Sequence, residues 1–168
     1  MNNDLLQADH GDLDRLLIEA RSHADGGDPD ELFVAVDWFW ARLAMHIRAE
    51  HVHLFPAVSR KEKEEAADGP IAKLIERLRH DHDIFMREIA KIMKGLREMM
   101  FEDGRTVPDG TAERLFLIAD LLKEHNAVEE TEIYPLPAKI LSEAEHQELL
   151  AAMKKELDNV PPRFQAKG

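Results

Sequence analysis

Apolar residues recur at helical spacing through most of this chain, and this periodicity limits the folds that the chain can adopt. In the first periodic segment Leu6, Leu13 and Leu17 follow a three-four spacing that places them on one face of a helix. The apolar-polar alternation that is typical of strands is almost absent. A chain of 168 residues suits one domain. The pattern therefore predicts an all-α protein.

Turn and capping signals divide the periodic sequence into four long helices and a short fifth one. The signals lie at Asp25–Pro29, after Pro56, near Asp68–Pro70, at Met99, near Thr111 and at Tyr134. We interpret the charged run that follows Pro56 as a loop. The fifth helix is predicted to begin at Ser142, where Glu145 completes a capping box.

Long amphipathic helices joined by short polar loops favour one architecture. We expect an antiparallel up-down-up-down four-helix bundle with a short extra C-terminal helix. This single domain is predicted to occupy residues 1–160, and residues 161–168 are predicted to form a flexible tail.

Composition excludes several classes of partner and site. The formal net charge is −12, which argues against nucleic-acid binding. The chain contains no cysteine, so disulfides, thiolate nucleophiles, iron–sulfur clusters and zinc fingers are excluded. No segment offers the ~18 consecutive apolar residues of a membrane span, and the first residues do not resemble a signal peptide. We therefore expect a cytoplasmic protein without a membrane partner.

Histidines interrupt the apolar face of each long helix. His10, His46, His82 and His125 occupy positions that should be apolar. A glutamate follows one turn later on the same face in two of the helices, at Glu50 and Glu129. Six polar groups are therefore predicted to point into the bundle.

Loop positions predict the height of these histidines in the bundle. Residues equidistant from the turn between antiparallel helices lie side by side. The midpoints between successive histidines fall at residue 28, at residue 64 and between residues 103 and 104, each inside a predicted connection. All four histidines are therefore expected in one layer.

An internal repeat supports a shared centre. Residues 46–56 match residues 125–135, with His, Glu, an aliphatic residue, an aromatic residue and Pro at the same offsets. A weaker match relates residues 9–13 to residues 81–85. The halves are expected to be related helical hairpins with approximate twofold symmetry, so a centre on that axis would receive the same ligands from each.

A buried layer of six unpaired polar groups could consume most of the roughly 5–15 kcal/mol by which a domain is stable, because each such group costs several kcal/mol. Two cations would compensate, each bound by two histidines and bridged to the other by Glu50 and Glu129. Imidazole and carboxylate ligands with open positions suit non-haem iron best, with manganese and zinc as alternatives.

These residues resemble the hemerythrin-like (HHE cation-binding) domain family over residues 4–137. The motifs are His10, His46–Pro56, His82 and His125–Pro135. The resemblance implies a four-helix bundle with a carboxylate-bridged centre of two iron ions. It also implies roles in oxygen binding or storage, oxygen or redox sensing, iron handling, or the response to nitric oxide or peroxide. Oxygen-carrying members have a fifth histidine one turn from the histidine of the third helix, where this chain has Leu78 and Met86. The present set is more similar to the iron-sensing and iron-repair branches.

Alternatives remain for some ligands. Glu130 could replace Glu129, and His80 could replace His82. We predict His51 on the surface and His53 at the rim of the centre. Asp9 and Asp81, beside the two single histidines, are interpreted as helix-start or surface acids, with a contact to a metal-ligating residue as the alternative.

The function that the sequence favours is a non-enzymatic metal protein. It would bind dioxygen or a related small ligand and sense or store oxygen, redox state or iron. One alternative is a diiron oxidoreductase acting on peroxide, nitric oxide or iron(II), for which Tyr134 and His53 are the candidate proton donors near the metal ions. Another is a metal-free helical interaction module. The oligomeric state cannot be inferred from the sequence.

Overall fold

The computed structural model describes residues 4–65 and 69–165, and every regular element within those ranges is helical. The α-helices are α1 (Asp4–Ala24), α2 (Pro29–Ala49), α3 (Phe55–Glu65), α4 (Pro70–Met99), α5 (Thr111–Val128), α6 (Leu136–Ile140) and α7 (Glu143–Leu157). Two π-helical segments, Glu50–Leu54 and Glu129–Ile133, and a 3-10 helix, Pro162–Phe164, complete the fold. The expectation of an all-α chain is confirmed.

Capping residues begin the helices where the sequence indicated. The Asp28 side chain accepts a hydrogen bond from the Asp30 amide, and Pro29 is the first residue of α2. Ser142 and Glu145 form the predicted capping box of α7. Asp68 lies outside the described residues, and α4 begins at Pro70.

The π segments explain the wrong helix boundary after Pro56; the short helix α6 was also not predicted. The predicted loop after Pro56 is wrong, because the helix continues through α3 to Glu65. Each π segment directly precedes an aromatic residue and a proline, Phe55 and Pro56 in one case, Tyr134 and Pro135 in the other. A proline ring collides with the carbonyl four residues earlier in a regular helix, and the wider π turn relieves that collision.

The four helices that carry the histidines pack against one another. Helix α1 packs against α2 and α5, and α4 also packs against α2 and α5. Helix α7 packs on α2 and on the first π segment. In the described ranges, no helix combines the length and the hydropathy needed to cross a membrane.

A polar layer divides the apolar core into two clusters. One cluster includes Leu17, Phe39 and Ile89, and the other includes Leu54 and Leu78. The side chains between them are polar but almost fully buried, at 0–5% exposure: Asp9, His10, His46, Glu50, His82, His125 and Glu129. The fold therefore buries polar groups at the centre of the bundle, where apolar packing is normally found.

Candidate metal centre

Four imidazole rings meet in this layer as two pairs. Nε2 of His10 lies 3.1 Å from Nε2 of His46, and Nε2 of His82 lies 2.8 Å from Nε2 of His125. Each pair combines one ring from each of two neighbouring helices, α1 with α2 and α4 with α5. The structure thus brings together the four histidines that the sequence placed in one layer.

Two glutamates connect the pairs. Oε1 of Glu129 lies 3.0 Å from Nε2 of His125, and its Oε2 lies 3.4 Å from Nε2 of His10. Oε1 of Glu50 lies 3.4 Å from Nε2 of His46, and its Oε2 lies 3.3 Å from Nε2 of His82. Each carboxylate therefore spans the two halves with its two oxygen atoms. His80 is exposed, and His82 occupies the inner position.

The outer nitrogen of every ring has a partner. Nδ1 of His46 lies 2.9 Å from Oδ2 of Asp9, and Nδ1 of His125 lies 3.2 Å from Oδ2 of Asp81. Nδ1 of His10 lies 2.8 Å from Oε1 of Glu130. An ionised carboxylate can only accept, so these three Nδ1 atoms donate. In the neutral rings, the Nε2 lone pairs then point into the layer.

Asp9 and Asp81 were wrongly interpreted as helix-start or surface acids. Asp9 is 4% exposed and Asp81 is 26% exposed, and each accepts from a histidine on a neighbouring helix. Adjacent helical residues point about 100° apart, so the aspartate faces the neighbouring helix while the histidine after it faces the layer. The signal was the Asp-His pair that recurs at residues 9–10 and 81–82.

His51 was also wrongly predicted on the surface. Its Nε2 lies 2.8 Å from Nδ1 of His82, and the side chain is half-buried. Glu130, its counterpart in the repeat, holds Nδ1 of His10 in the other half. His51 and Glu130 therefore occupy equivalent places outside the ring of inner residues. Nε2 of His53, which the sequence predicted at the rim of the centre, lies 3.2 Å from Oε1 of Glu156 on α7.

Tyr134 brings a phenol into the layer. Its hydroxyl donates to Oε1 of Glu50 at 2.7 Å and lies 2.9 Å from Nε2 of His10. It also lies 3.2 Å from Oε2 of Glu129, five residues earlier in the second π segment. The π turn is what places residues five apart on one face. The sequence offered Tyr134 as a candidate proton donor near the metal ions but did not predict its hydrogen-bond partners.

Charge coupling within the layer shifts several pKa values. Burial would lower the pKa of His46, but Glu50 and Asp9 outweigh it and raise that pKa to about 10. Burial would also lower the pKa of His125, but the nearby Glu129 carboxylate outweighs burial and raises that pKa. Burial would raise the pKa of Glu129, yet contacts with His10, His125 and His82 hold it well below its usual range. Burial, reinforced by both glutamates, raises the pKa of Tyr134.

These donors suit bound cations. The Nε2 atoms of His10 and His46 both carry lone pairs when the rings are neutral, and two lone pairs 3.1 Å apart repel unless a proton or a metal ion lies against them. Oε2 of Glu50 and Oε1 of Glu129 are fully buried without a hydrogen-bond partner among the described residues. Two groups of side chains could each hold an ion: His10, His46, Glu50 and Glu129, and His82, His125 and Glu129.

Comparison with known proteins is in agreement with this geometry. The model of the family described as "Hemerythrin HHE cation binding domain" matches residues 1–136. That range contains all six inner residues and ends at the first residue of α6. Searches of curated proteins and of solved structures gave no match.

Proposed function

The chain belongs to the hemerythrin HHE cation-binding domain family, and from this premise we propose that it is a non-haem protein with two carboxylate-bridged iron ions. Its proposed role is to bind dioxygen or a related small ligand in oxygen, redox or iron sensing or storage. The proposed metal ligands are His10, His46, Glu50, His82, His125 and Glu129.

The observation that carries this proposal is the pair of unpartnered carboxylate oxygens. A buried carboxylate oxygen without a hydrogen bond is costly unless a nearby positive charge, either a protonated imidazole or a metal ion, compensates the desolvation of its own charge. Oε2 of Glu50 and Oε1 of Glu129 both face histidine Nε2 atoms of the centre. Metal ions bound between these oxygen and nitrogen atoms would remove that cost from both residues.

The two-ion stoichiometry is supported by the shape of the layer. The histidines form separate pairs, and Glu129 belongs to both of the possible ligand groups. A carboxylate shared between two groups is the arrangement expected of a bridge. The ligand types favour iron over manganese or zinc. Four imidazole nitrogens and the four oxygens of two carboxylates, with coordination positions left open, suit non-haem iron.

The surroundings of the centre favour a small uncharged ligand. The Phe85 ring packs edge-on against His125 with centroids 5.1 Å apart, and the Phe55 ring stacks on His82 with centroids 6.2 Å apart. A cavity of about 20 Å³ borders Tyr134 and is lined mainly by leucines, with His146 at one side. This volume suits a molecule of the size of water or dioxygen. Iron at the centre would supply redox chemistry, while the burial of the layer and of the Phe55 and Phe85 rings keeps bulk water away from it.

One observation favours the second candidate, a diiron oxidoreductase acting on peroxide, nitric oxide or iron(II). Such chemistry needs a proton donor beside the metal ions. The Tyr134 hydroxyl lies within hydrogen-bond distance of both glutamates and of His10. Because burial raises its pKa, this phenol keeps its proton near neutral pH.

Metal analysis combined with a visible spectrum of the aerobically purified protein tests the proposal. We expect about two irons per chain and the near-ultraviolet absorption of a coupled diferric centre. Adding dioxygen and then peroxide to the reduced protein separates the two candidates. Reversible spectral change with dioxygen supports ligand binding, and turnover of peroxide supports the enzyme. Purified protein that stays metal-free after incubation with iron(II) would refute both and favour the interaction module.

The remaining sequence-based expectations stay predictions. They are the up-down-up-down order of the four long helices, a cytoplasmic location and the lack of nucleic-acid or membrane partners.

A further inference from the structure

The part of the chain that follows the family match is attached to α2 by specific contacts. The Phe164 ring lies 4.6 Å from the Trp38 ring, and the Arg163 guanidinium donates to both carboxylate oxygens of Asp37 at 3.0 Å. Helix α7 adds Glu156, which accepts from Arg48 at 2.7 Å. These contacts involve the segment that the sequence predicted to be a short helix and a tail, of which residues 166–168 lie outside the described residues.

Arg42 is the residue through which this attachment reaches the metal centre. Its Nη1 donates to the Leu157 carbonyl at the end of α7, at 3.1 Å. Its Nη2 pairs with Oδ1 of Asp9, and Oδ2 of the same carboxylate holds Nδ1 of His46 at 2.9 Å. The Arg42 side chain is 15% exposed, so the pair is largely shielded from water. Direct contacts thus run from the α7 backbone to an imidazole of the centre.

The other half of the centre lacks this support. Asp81, which holds His125, is 26% exposed and makes a longer contact of 3.2 Å. The position equivalent to Arg42 in the repeat is Leu121, which has no donor. The two halves therefore share their inner ligands but differ in how the aspartate behind the histidine is fixed.

We propose that Arg42 is a positioning residue for the His10–His46 half of the centre, and that the Leu157 carbonyl of α7 holds Arg42 in place. A carboxylate behind a ligating histidine fixes the orientation of the ring and strengthens its lone pair. The Asp9 carboxylate can do so only if it is itself held, and the forked guanidinium reaches Asp9 and Leu157 together. The inference rests on the proposed function, since it concerns metal affinity.

Anaerobic titration with Fe²⁺ against a coloured chelator tests the inference on the full chain. In Arg42→Leu we expect one iron to keep its affinity and the other to bind about 10- to 100-fold more weakly. Arg48→Leu is the matched control, because Arg48 also joins α2 to α7 but is exposed, and among the described residues its side chain pairs with Glu156 and not with Asp9. We expect the control to bind both irons as the wild type does.

Double variants show which half of the centre holds the iron that binds more weakly. Arg42→Leu combined with His125→Ala should leave no tightly bound iron, since each change impairs a different half. Arg42→Leu combined with His46→Ala should keep one, since both changes impair the same half. The opposite pattern would overturn the assignment. If Arg42→Leu fails to fold, Asp9→Asn provides the same test, because it keeps the size of the side chain and removes its charge.

The outcomes separate this inference from the proposed function. A wild-type chain that binds no Fe²⁺ refutes the proposed function. If the wild-type chain binds two Fe²⁺ ions, and Arg42→Leu and Asp9→Asn bind them with unchanged affinities, only the positioning role is refuted. An equal loss of Fe²⁺ affinity in Arg42→Leu and Arg48→Leu also refutes the positioning role, because the loss would then come from loosened packing of α7.

Discussion

The hydroxyl of Tyr134 lies 2.7 Å from Oε1 of Glu50, so a phenol from the second half of the repeat donates to a carboxylate from the first. The counterpart of Tyr134 in the first half is Phe55, which has no donor to offer Glu129 in return. Tyr134 is the only tyrosine of the chain. The centre is therefore nearly symmetric in its histidines and glutamates but asymmetric in its hydrogen bonding.

Replacing Tyr134 by Phe should destabilise the metal-free protein by about 1.5–3 kcal/mol, the usual loss for a hydrogen bond to a charged group. The loss should be smaller with metal bound, because the ions then neutralise Glu50. Urea unfolding of both forms measures the difference. Wild-type stability in the metal-free variant would show that the hydroxyl contributes nothing to the layer.

Replacing His82 by Ala should lower iron from about two ions per chain towards one, because the His82–His125 half loses a ligand. His80→Ala is the matched control on the same helix, two residues away and exposed. It should bind iron as the wild type does. The comparison uses metal analysis after both variants are loaded with the same amount of iron. A greater loss of iron in His80→Ala would show that His80, and not His82, belongs to the centre.

Metal uptake near neutral pH should release protons. The pKa of His46 is about 10 without metal, so the ring is protonated at neutral pH and must lose a proton to ligate. Metal affinity should accordingly rise with pH up to about 10. Calorimetric titration in two buffers of different ionisation enthalpy counts the protons, and identical heats in both would contradict the prediction.

The same pKa predicts how the stability of the metal-free protein depends on pH. The pKa of His46 is raised from 6.5 to about 10 on folding, so its contribution is complete below pH 6.5 and is lost as pH rises towards 10. Unfolding midpoints across this range should fall in the wild type and fall less in His46→Gln. Parallel curves for the two proteins would rule out His46 as the source.

The capping box of α7 gives a prediction that is independent of metal. Replacing Ser142 by Ala removes the side chain that accepts from the Glu145 amide, at an expected cost of about 0.5–2 kcal/mol. Thermal unfolding measures this cost. Iron content at saturation should not change, since the side-chain hydrogen bonds of Ser142 are with Glu145 and not with a proposed ligand. A loss of bound iron would show that the start of α7 affects the centre.

The repeat predicted the inner residues well, because a residue on an apolar helical face must point towards the core. His10, His46, His82 and His125 meet where that argument placed them, and Glu129 rather than Glu130 faces inward. The argument assumed a regular period, however, and each π segment adds a residue to one turn. The sequence therefore misplaced His51 on the surface and left Glu130 open as an alternative ligand. In the structure His51 contacts Nδ1 of His82, and Glu130 contacts Nδ1 of His10.

Helical periodicity, the doubled histidine-glutamate motif and the capping residues are local or nearly local features, so the sequence by itself determined the helices, the family and the inner side chains of the centre. The partners behind the histidines depend on which residues of separate helices face each other, and only the tertiary structure decided those. Asp9 meets Arg42 and His46 across α1 and α2, and the carbonyl of Leu157 reaches Arg42 from more than a hundred positions away along the chain. Such contacts are set by the packing of whole helices, which no single segment encodes.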